Sequence, residues 1–568
     1  VVTVVPPANA LSVSTTANIS VIFDQPVSPI APLYDNLAVY GSHSPIFSGT
    51  YTFGLYSVSL DPDRAFFPGE LVAATVTTET GGTATPFVWQ FRAAVGGGAG
   101  RFFAENLGLG AADSRDVALG DLDLDGDLDA FVANDGINAV WRNDGDWIFS
   151  DVPVGSSTTS TDAALGDLDA DGDLDAFVAN GGQESQVWIN DGTASFAIKP
   201  QDLGAANDMG VALGDLDGDG DLDACRGKGV GLPNEVWLND GSGTFLDSGQ
   251  SLGSASSLAA VLGDVDADGD LDAVVANDGA NTLWLNDGSG TFTNGGQQLG
   301  LGLTTGLALG DLDGDASLDL FIVHEDRPNE MWWNNGSGVF FDNEQQMGSE
   351  YSGSQGVALG DLDGDGDLDA VVANDFAVNR VWLNENGEGF FTGSTEAIAS
   401  AETTAVALGD LDSDGDLDLF IANSGGEPDA VWQNRGEGFT VSDVNIDGQG
   451  SVAYVERSEA IAVALDYQIW SSEGCPSCLR QLVIGMDEAP RYCAYDSAPG
   501  VFPGVSGSSF QNLTAPSEPG IYLLNAGSAF QYTCADAKAN YDGSTEPVIG
   551  VIVVEPWTCQ ARPSDGFN

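Results

Sequence analysis

The chain has 568 residues, with 86 acidic side chains against 16 basic ones and a formal net charge of −70. That balance excludes nucleic acid and anionic membrane surfaces as partners, because phosphate binding needs a basic footprint. No apolar run approaches the roughly 18 residues of a membrane-spanning helix, so membrane insertion is not expected.

Residues 1–92 read as a β-sandwich. Alternating stretches such as Ile19-Ser20-Val21-Ile22-Phe23 and Phe87-Val88-Trp89-Gln90-Phe91 are separated by Pro and Gly turns. The opening Val1-Val2-Thr3-Val4-Val5 lacks Met and a basic segment and reads as a mature or cropped start. Residues 93–100, with Gly96-Gly97-Gly98-Ala99-Gly100, read as a flexible hinge.

Residues 101–445 are built on a repeat. An acidic nonapeptide, Asp-x-Asp-x-Asp-Gly-Asp-x-Asp, begins at Asp121, Asp167, Asp215, Asp264, Asp311, Asp361 and Asp410, with successive starts 46 to 50 residues apart. An apolar segment ending in Gly precedes each copy, as at Val117-Ala118-Leu119-Gly120, and another follows, as at Leu128-Asp129-Ala130-Phe131-Val132. Then comes a Trp (Trp141, Trp188, Trp237, Trp284, Trp332, Trp382, Trp432) and, in most copies, an Asn-Asp-Gly-like turn and a Phe. Each repeat therefore gives four short strands, A to D, with the acidic loop between A and B. Seven such units match a seven-bladed β-propeller. A linear solenoid would need capping repeats, and neither end supplies one.

Residues 446–568 are β-rich and hold Cys475, Cys478, Cys493, Cys534 and Cys559; Cys225 stands alone. Clustered cysteines point to disulfides and an oxidising, extracellular compartment. The expectation is two bridges among Cys475, Cys478, Cys493 and Cys534, in one of three pairings, leaving Cys559 free or intermolecular. Cys225 occupies a core strand position and should be inert. A zinc site would need a second paired motif and a His, and this region has neither.

The seven acidic repeats resemble the calcium-binding, FG-GAP-type propeller repeats of integrin α-subunits and of bacterial secreted and surface proteins, over about residues 100–445. The segment Phe67-Pro68-Gly69-Glu70 resembles bacterial immunoglobulin-like domains of surface-layer proteins. The first resemblance implies one Ca²⁺ per blade, about seven in all, in the A–B loops. Alternate carboxylates can serve a cation that takes about six to eight oxygens, and Gly at the sixth position allows the sharp turn. Side-chain ligation falls to Asp121, Asp123, Asp125 and Asp129; Asp167, Asp169, Asp171 and Asp175; Asp215, Asp217, Asp219 and Asp223; Asp264, Asp266, Asp268 and Asp272; Asp311, Asp313, Asp315 and Asp319; Asp361, Asp363, Asp365 and Asp369; and Asp410, Asp412, Asp414 and Asp418. The seventh residue of each loop (Asp127, Asp173, Asp221, Asp270, Ser317, Asp367 or Asp416) would offer its backbone carbonyl. In the fifth loop Ala316 replaces the glycine and Ser317 an aspartate, so that site should be the weakest.

No nucleophile motif accompanies the two histidines, His43 and His324, so no enzyme is expected. The sequence instead suggests an extracellular structural or adhesive surface component whose partners are other protein chains, including copies of itself in a fibre. Two alternatives stay open: a carbohydrate- or protein-binding module using the face opposite the calcium loops, and a hydrolase or lyase on a propeller scaffold. For the binding face the candidates are Arg226, Lys228, His324 and Arg327, rare cations in B–C loops that elsewhere begin Ala-Asn.

Overall fold

The chain is all-β; among the described residues the only helix is a 3-10 turn at Thr78–Thr80. The computed structural model describes residues 1–434 apart from short stretches, the longest at 28–35, and beyond 434 the backbone of the strands between 438 and 554. Residues 1–434 form one compact unit and 435–568 a second.

Each repeat folds as four antiparallel strands. In the third, Asp208–Gly214, Asp223–Lys228, Glu235–Asn239 and Phe245–Asp247 pair in that order. In the first and fourth repeats, strands B and C run on as one, Asp129–Asn143 and Asp272–Asn286. Phe149–Gly166 and Phe292–Gly310 each serve as strand D of one repeat and strand A of the next. Strand B is buried along its whole length, as in Asp175–Asn180 and Asp418–Asn423, which is why it reads as an unbroken apolar run rather than an alternating one.

The seventh repeat takes its fourth strand from upstream. Phe102–Leu109 pairs with Asp429–Asn434, completing the sheet of Thr403–Gly409 and Asp418–Asn423. Gly438–Ile446 pairs instead with Ala460–Trp470, inside the second unit. The repeat region thus ends at Asn434 and not at 445, because the strand it needs was already supplied before the first acidic loop.

Two further contacts pass from repeat to repeat and return to the start. The glycine closing each strand A lies against leucines of the following repeat: a Cβ on Gly120 would lie 2.6 Å from Leu174, and one on Gly409 would lie 2.7 Å from Leu128 of the first repeat. In the opposite direction, the Asn ending each strand C donates its Nδ2 to a loop carbonyl of the preceding repeat. Asn190 reaches Leu122, Asn239 Leu168, Asn286 Leu216, Asn334 Val265, Asn384 Leu312, Asn434 Leu362 and Asn143 Leu411, all at 2.7–2.9 Å.

The N-terminal region has a four-stranded and a three-stranded antiparallel sheet enclosing Ile19, Val21, Leu37, Val39, Val58, Leu60, Val72, Trp89 and Phe91. The segment after it is no free hinge. Gly96 N donates to Gly415 O, and Gly100 N donates to Leu362 O at 2.8 Å, so the glycines are laid across the acidic loops of the last two repeats. Glycine serves there for close backbone approach rather than for flexibility.

In the second unit, three strands (Gly438–Ile446, Ala460–Trp470, Val505–Thr514) and five strands (Val452–Val455, Val548–Val554, Gly520–Gln531, Leu479–Met486, Tyr492–Asp496) form two sheets. The disulfide assignments to Cys475, Cys478, Cys493 and Cys534, and the side chain of Cys559, lie outside the described residues. Cys225 is free and fully buried, and burial pushes its thiol up to about 12.

Gly360→Ala should place a methyl 2.5 Å from Leu417 and 3.1 Å from Leu408. Overpacking of this kind costs about 1–3 kcal/mol. A fall in the melting temperature of residues 1–434 is the expected reading, and an unchanged melt would show that adjacent sheets do not meet at this glycine.

Candidate metal centres and the surfaces around them

Each acidic loop is shaped first by its own backbone. The first aspartate turns its carboxylate back over the loop to accept the amide of the sixth residue. Asp167 accepts from Gly172 (3.1 Å), Asp264 from Gly269 (3.0 Å), Asp311 from Ala316 (3.0 Å) and Asp410 from Gly415 (3.0 Å). The ninth aspartate is the deepest, at most 1% exposed in every repeat. One of its oxygens accepts the amide of loop position two, the other that of the Asn ending strand C. For Asp223 these are Leu216 (2.9 Å) and Asn239 (2.8 Å); for Asp369 they are Leu362 (3.0 Å) and Asn384 (2.8 Å).

Two residues per loop take left-handed backbone. The sixth position has φ between 94° and 101° where it is Gly, and Ala316 settles at 70°. The fourth position is also left-handed, with Leu124, Ala170, Ala267 and Ser413 at φ 59–61° beside Gly218, Gly314 and Gly364. A non-Gly residue there costs about 1–2 kcal/mol. The sequence hides this second kink, since four of the seven loops fill it with a residue that gives no turn signal.

The carboxylates converge. Ligand oxygens from Asp121, Asp123 and Asp125, from Asp167, Asp169 and Asp175, from Asp215, Asp217 and Asp223, from Asp264, Asp266 and Asp272, and from Asp311, Asp313 and Asp315 lie within 4.8 Å of one another in each set. Several of the oxygens are buried with no hydrogen-bond donor: one each of Asp121, Asp123, Asp167, Asp169, Asp266 and Asp416. Such oxygens, beside other carboxylates, fit a divalent hard cation, which takes oxygen ligands. Asp416 is the seventh residue of its loop, but in the third loop the seventh residue behaves differently. The Asp221 carboxylate sits against the C–D turn, 2.5 Å from where a Cβ of Gly241 would be, leaving its backbone rather than its side chain for the centre.

Without a cation these groups resist ionisation. Burial, the largest cause, raises Asp129, Asp175, Asp272 and Asp369 to about 8, and Asp167, Asp215 and Asp264 to about 7; neighbouring loop carboxylates raise them further, while backbone amides oppose the shift. Asp223 and Asp418 are raised well above the ordinary range for the same reasons.

The N-terminal region sits on these loops. The sixth-position carbonyls of four loops accept from it: Gly220 from the Tyr40 hydroxyl, Gly269 from Val88 N (2.6 Å), Ala316 from Asn9 Nδ2 (3.1 Å) and Gly415 from Gly96 N. The first loop adds Asp121 N donating to His43 O at 3.1 Å.

The proposed ligand-face cations are placed otherwise. Arg226 and Lys228 are buried, in positions that the other repeats fill with an aliphatic residue and with Asn or His. Arg226 Nη1 lies 2.9 Å from Asp208 Oδ2, and its guanidinium stacks 4.7 Å over Trp237. Lys228 Nζ lies 3.2 Å from both Asp208 and Glu235. The four charges cancel inside the sheet. His324 is buried too, with Nδ1 3.2 Å from Thr304 Oγ1. Arg327 alone is partly exposed, so the four do not form a binding face.

A family model described as FG-GAP-like repeat matches residues 121–178, 167–225, 264–322, 311–372 and 361–421. The chain therefore carries FG-GAP-like repeats, each match running from one acidic loop into strand B of the next repeat, and its fold is β-propeller-like. No curated protein matches the chain. Among solved structures, it is similar to an Agrocybe aegerita lectin described as recognising non-reducing terminal N-acetylglucosamine (18% identity, 71% of this chain and 99% of that one, TM-score 0.37). It is also similar to a functionally unknown protein from Desulfotomaculum acetoxidans (12% identity, 51% and 87%, TM-score 0.38).

Ala316→Gly should let the fifth loop open to the backbone angle of the others and tighten its cation binding by about 5- to 30-fold, the equivalent of about 1–2 kcal/mol of relieved strain. Gly366→Ala should weaken the sixth by a similar factor, since its Cβ would meet nothing closer than Ser12 Oγ at 3.9 Å and only backbone strain is added. Calcium titration by calorimetry reads both; equal affinities would refute the strain argument.

Proposed function

We propose that the seven repeats close into a seven-bladed propeller holding about seven Ca²⁺ ions, capped on its loop face by an immunoglobulin-like domain, and that the protein serves outside the cell as a non-enzymatic structural or adhesive surface component. The observation that carries this reading is the recurrence of the acidic loop and its buried ninth aspartate in every repeat, with donor-free buried oxygens in the first, second, fourth and seventh. Closure is supported by the strand Phe102–Leu109, by the Gly409–Leu128 packing and by the Asn143–Leu411 hydrogen bond, each joining the last repeat to the first. Calcium is favoured over zinc or copper by the all-oxygen donor set, and over magnesium by the number of carboxylates. Among the described residues no helix is long and apolar enough to cross a membrane.

A second reading, carbohydrate binding, is favoured by a cleft of about 400 Å³ between the fifth and sixth repeats, near the B–C turn of the sixth and so away from the acidic loops. Trp382, Arg380, Gln346 and Asn374 line it, an aromatic plane beside amides and a guanidinium. Arg380→Ala should weaken glycan-array binding in calcium without lowering the melting temperature, because the Arg380 side chain is exposed whereas Trp382 also packs on the core of these repeats. An array without hits would remove this reading and leave the first.

Chelation tests the main proposal. Each site held at 100 times its dissociation constant contributes about 2.7 kcal/mol, so removing calcium from several should lower the melting temperature by more than about 10 °C. The metal-free protein should also show an inverted pH response. Its ninth-position carboxyls hold protons up to about 8 when folded but only to about 4 when unfolded. Their stabilisation is complete below about pH 4 and is lost as pH rises to about 8. Saturating calcium should erase that loss, and a melt indifferent to chelator would overturn the calcium reading. Electron micrographs of the same samples distinguish fibres from monomers.

A further inference from the structure

The inner face of the repeat region encloses a feature that neither the metal centres nor a surface role uses. A cavity of about 380 Å³ lies between strands A of the third to seventh repeats and the N-terminal region. Its wall is apolar, with Leu213, Val261, Leu262, Leu309, Val357 and Leu359 prominent. Its floor is polar, made by Ser42, His43, Gln90 and Arg92 from the N-terminal region.

Arg92 is the anomaly. Burial alone lowers its guanidinium to about 10, and no neighbouring charge offsets that cost. Its one described side-chain hydrogen bond is a long one, from Nη1 to Gly69 O at 3.4 Å, and among the described residues no carboxylate lies within ion-pair reach of it. The acids beside it are engaged elsewhere. Glu70 accepts the amides of Phe67 (2.9 Å) and His43 (3.1 Å). Asp311 accepts those of Gly314 and Ala316, and Asp361 those of Gly364 and Gly366, each within its own loop. His43 Nδ1 is also buried with no partner. Arg92 is half-buried, and a partly desolvated cation without a counter-ion is costly unless something pairs with it.

We propose that this cavity binds a small monoanionic carboxylate with a short apolar tail, its head group paired with Arg92 beside Gln90 and His43 and its tail against the leucines and valines of strands A. The volume falls in the range of ligand pockets, about 300–1,000 Å³, and the division into an apolar wall and a few convergent polar groups is their usual form. A planar guanidinium suits a carboxylate because it can donate two parallel hydrogen bonds. The site does not depend on the extracellular role proposed above.

Calorimetry on the full chain in saturating calcium tests it, with octanoate, octanol and inorganic phosphate as probes. Octanoate should bind at one site per chain, at least tenfold more tightly than octanol, and phosphate should not bind there. Arg92→Gln should reduce octanoate affinity at least tenfold while leaving calcium affinity unchanged. If that variant does not fold, Ala308→Phe, which fills the cavity from the opposite wall, should abolish octanoate binding and leave the cap in place. Octanoate that fails to bind the wild-type chain, binds no better than octanol, or binds Arg92→Gln or Ala308→Phe undiminished would overturn the proposal. So would phosphate competing with it.

Discussion

The buried ninth aspartate is the constraint from which the rest of the repeat follows. Its two oxygens hold the start of the acidic loop and the end of strand C, so one side chain fixes the A–B turn against the B–C hairpin. Each neutral hydrogen bond is worth about 1 kcal/mol and those to a charged acceptor more, but the carboxylate is fully buried and carries a large desolvation cost. A proton or a cation must offset it. The loop supplies the means for a cation, since the first and third aspartates bring further oxygens into the same few ångströms. The strand ladder, the loop and the charge are therefore one linked system.

From that clamp neighbouring repeats are joined by steric fit. The Asn whose amide meets the ninth carboxylate also reaches back to the preceding repeat, while the glycine before the first aspartate admits the leucines of the next. A loop that lost its shape would disturb both neighbours, because its carbonyls are the acceptors of the adjacent Asn. It would also release the N-terminal region, which hydrogen-bonds the sixth-position carbonyls. The left-handed angles at positions four and six point those carbonyls outward, so backbone strain within the loop is offset by contacts outside it.

Much of the repeat was legible in the sequence because its signals are local: alternating acids, a glycine kink, short apolar runs and a Trp at fixed spacing. What could not be read depends on contacts between distant residues. The closing strand Phe102–Leu109 has no feature that distinguishes it from Gly438–Ile446, and only pairing with Asp429–Asn434 selects it. Gly96–Gly100 has the composition of a hinge, yet its backbone is laid on the loops of the last two repeats. Arg226 and Lys228 looked like surface cations because their partners, Asp208 and Glu235, lie on strands A and C and meet them only once the sheet forms.

That last case bears on where recognition can reside. Departures from a repeat are natural places to look for function, but those in the third repeat form a closed set whose two cations and two carboxylates satisfy one another. A network of this kind is about as stable as an apolar core of the same shape, and its members are unavailable to a ligand. Ala316 likewise changes the strain of a loop without exposing a new group. The departures that leave chemistry unspent lie elsewhere. Trp382 sits partly open in a cleft, beside Arg380 where the third and fifth repeats carry a Glu that accepts the Trp indole N–H. Arg92 is outside the repeats altogether, carried by the N-terminal region to the floor of a cavity whose opposite walls are the aliphatic side chains of strands A. A chain with so many carboxylates discriminates most sharply at the few cations that none of them reaches.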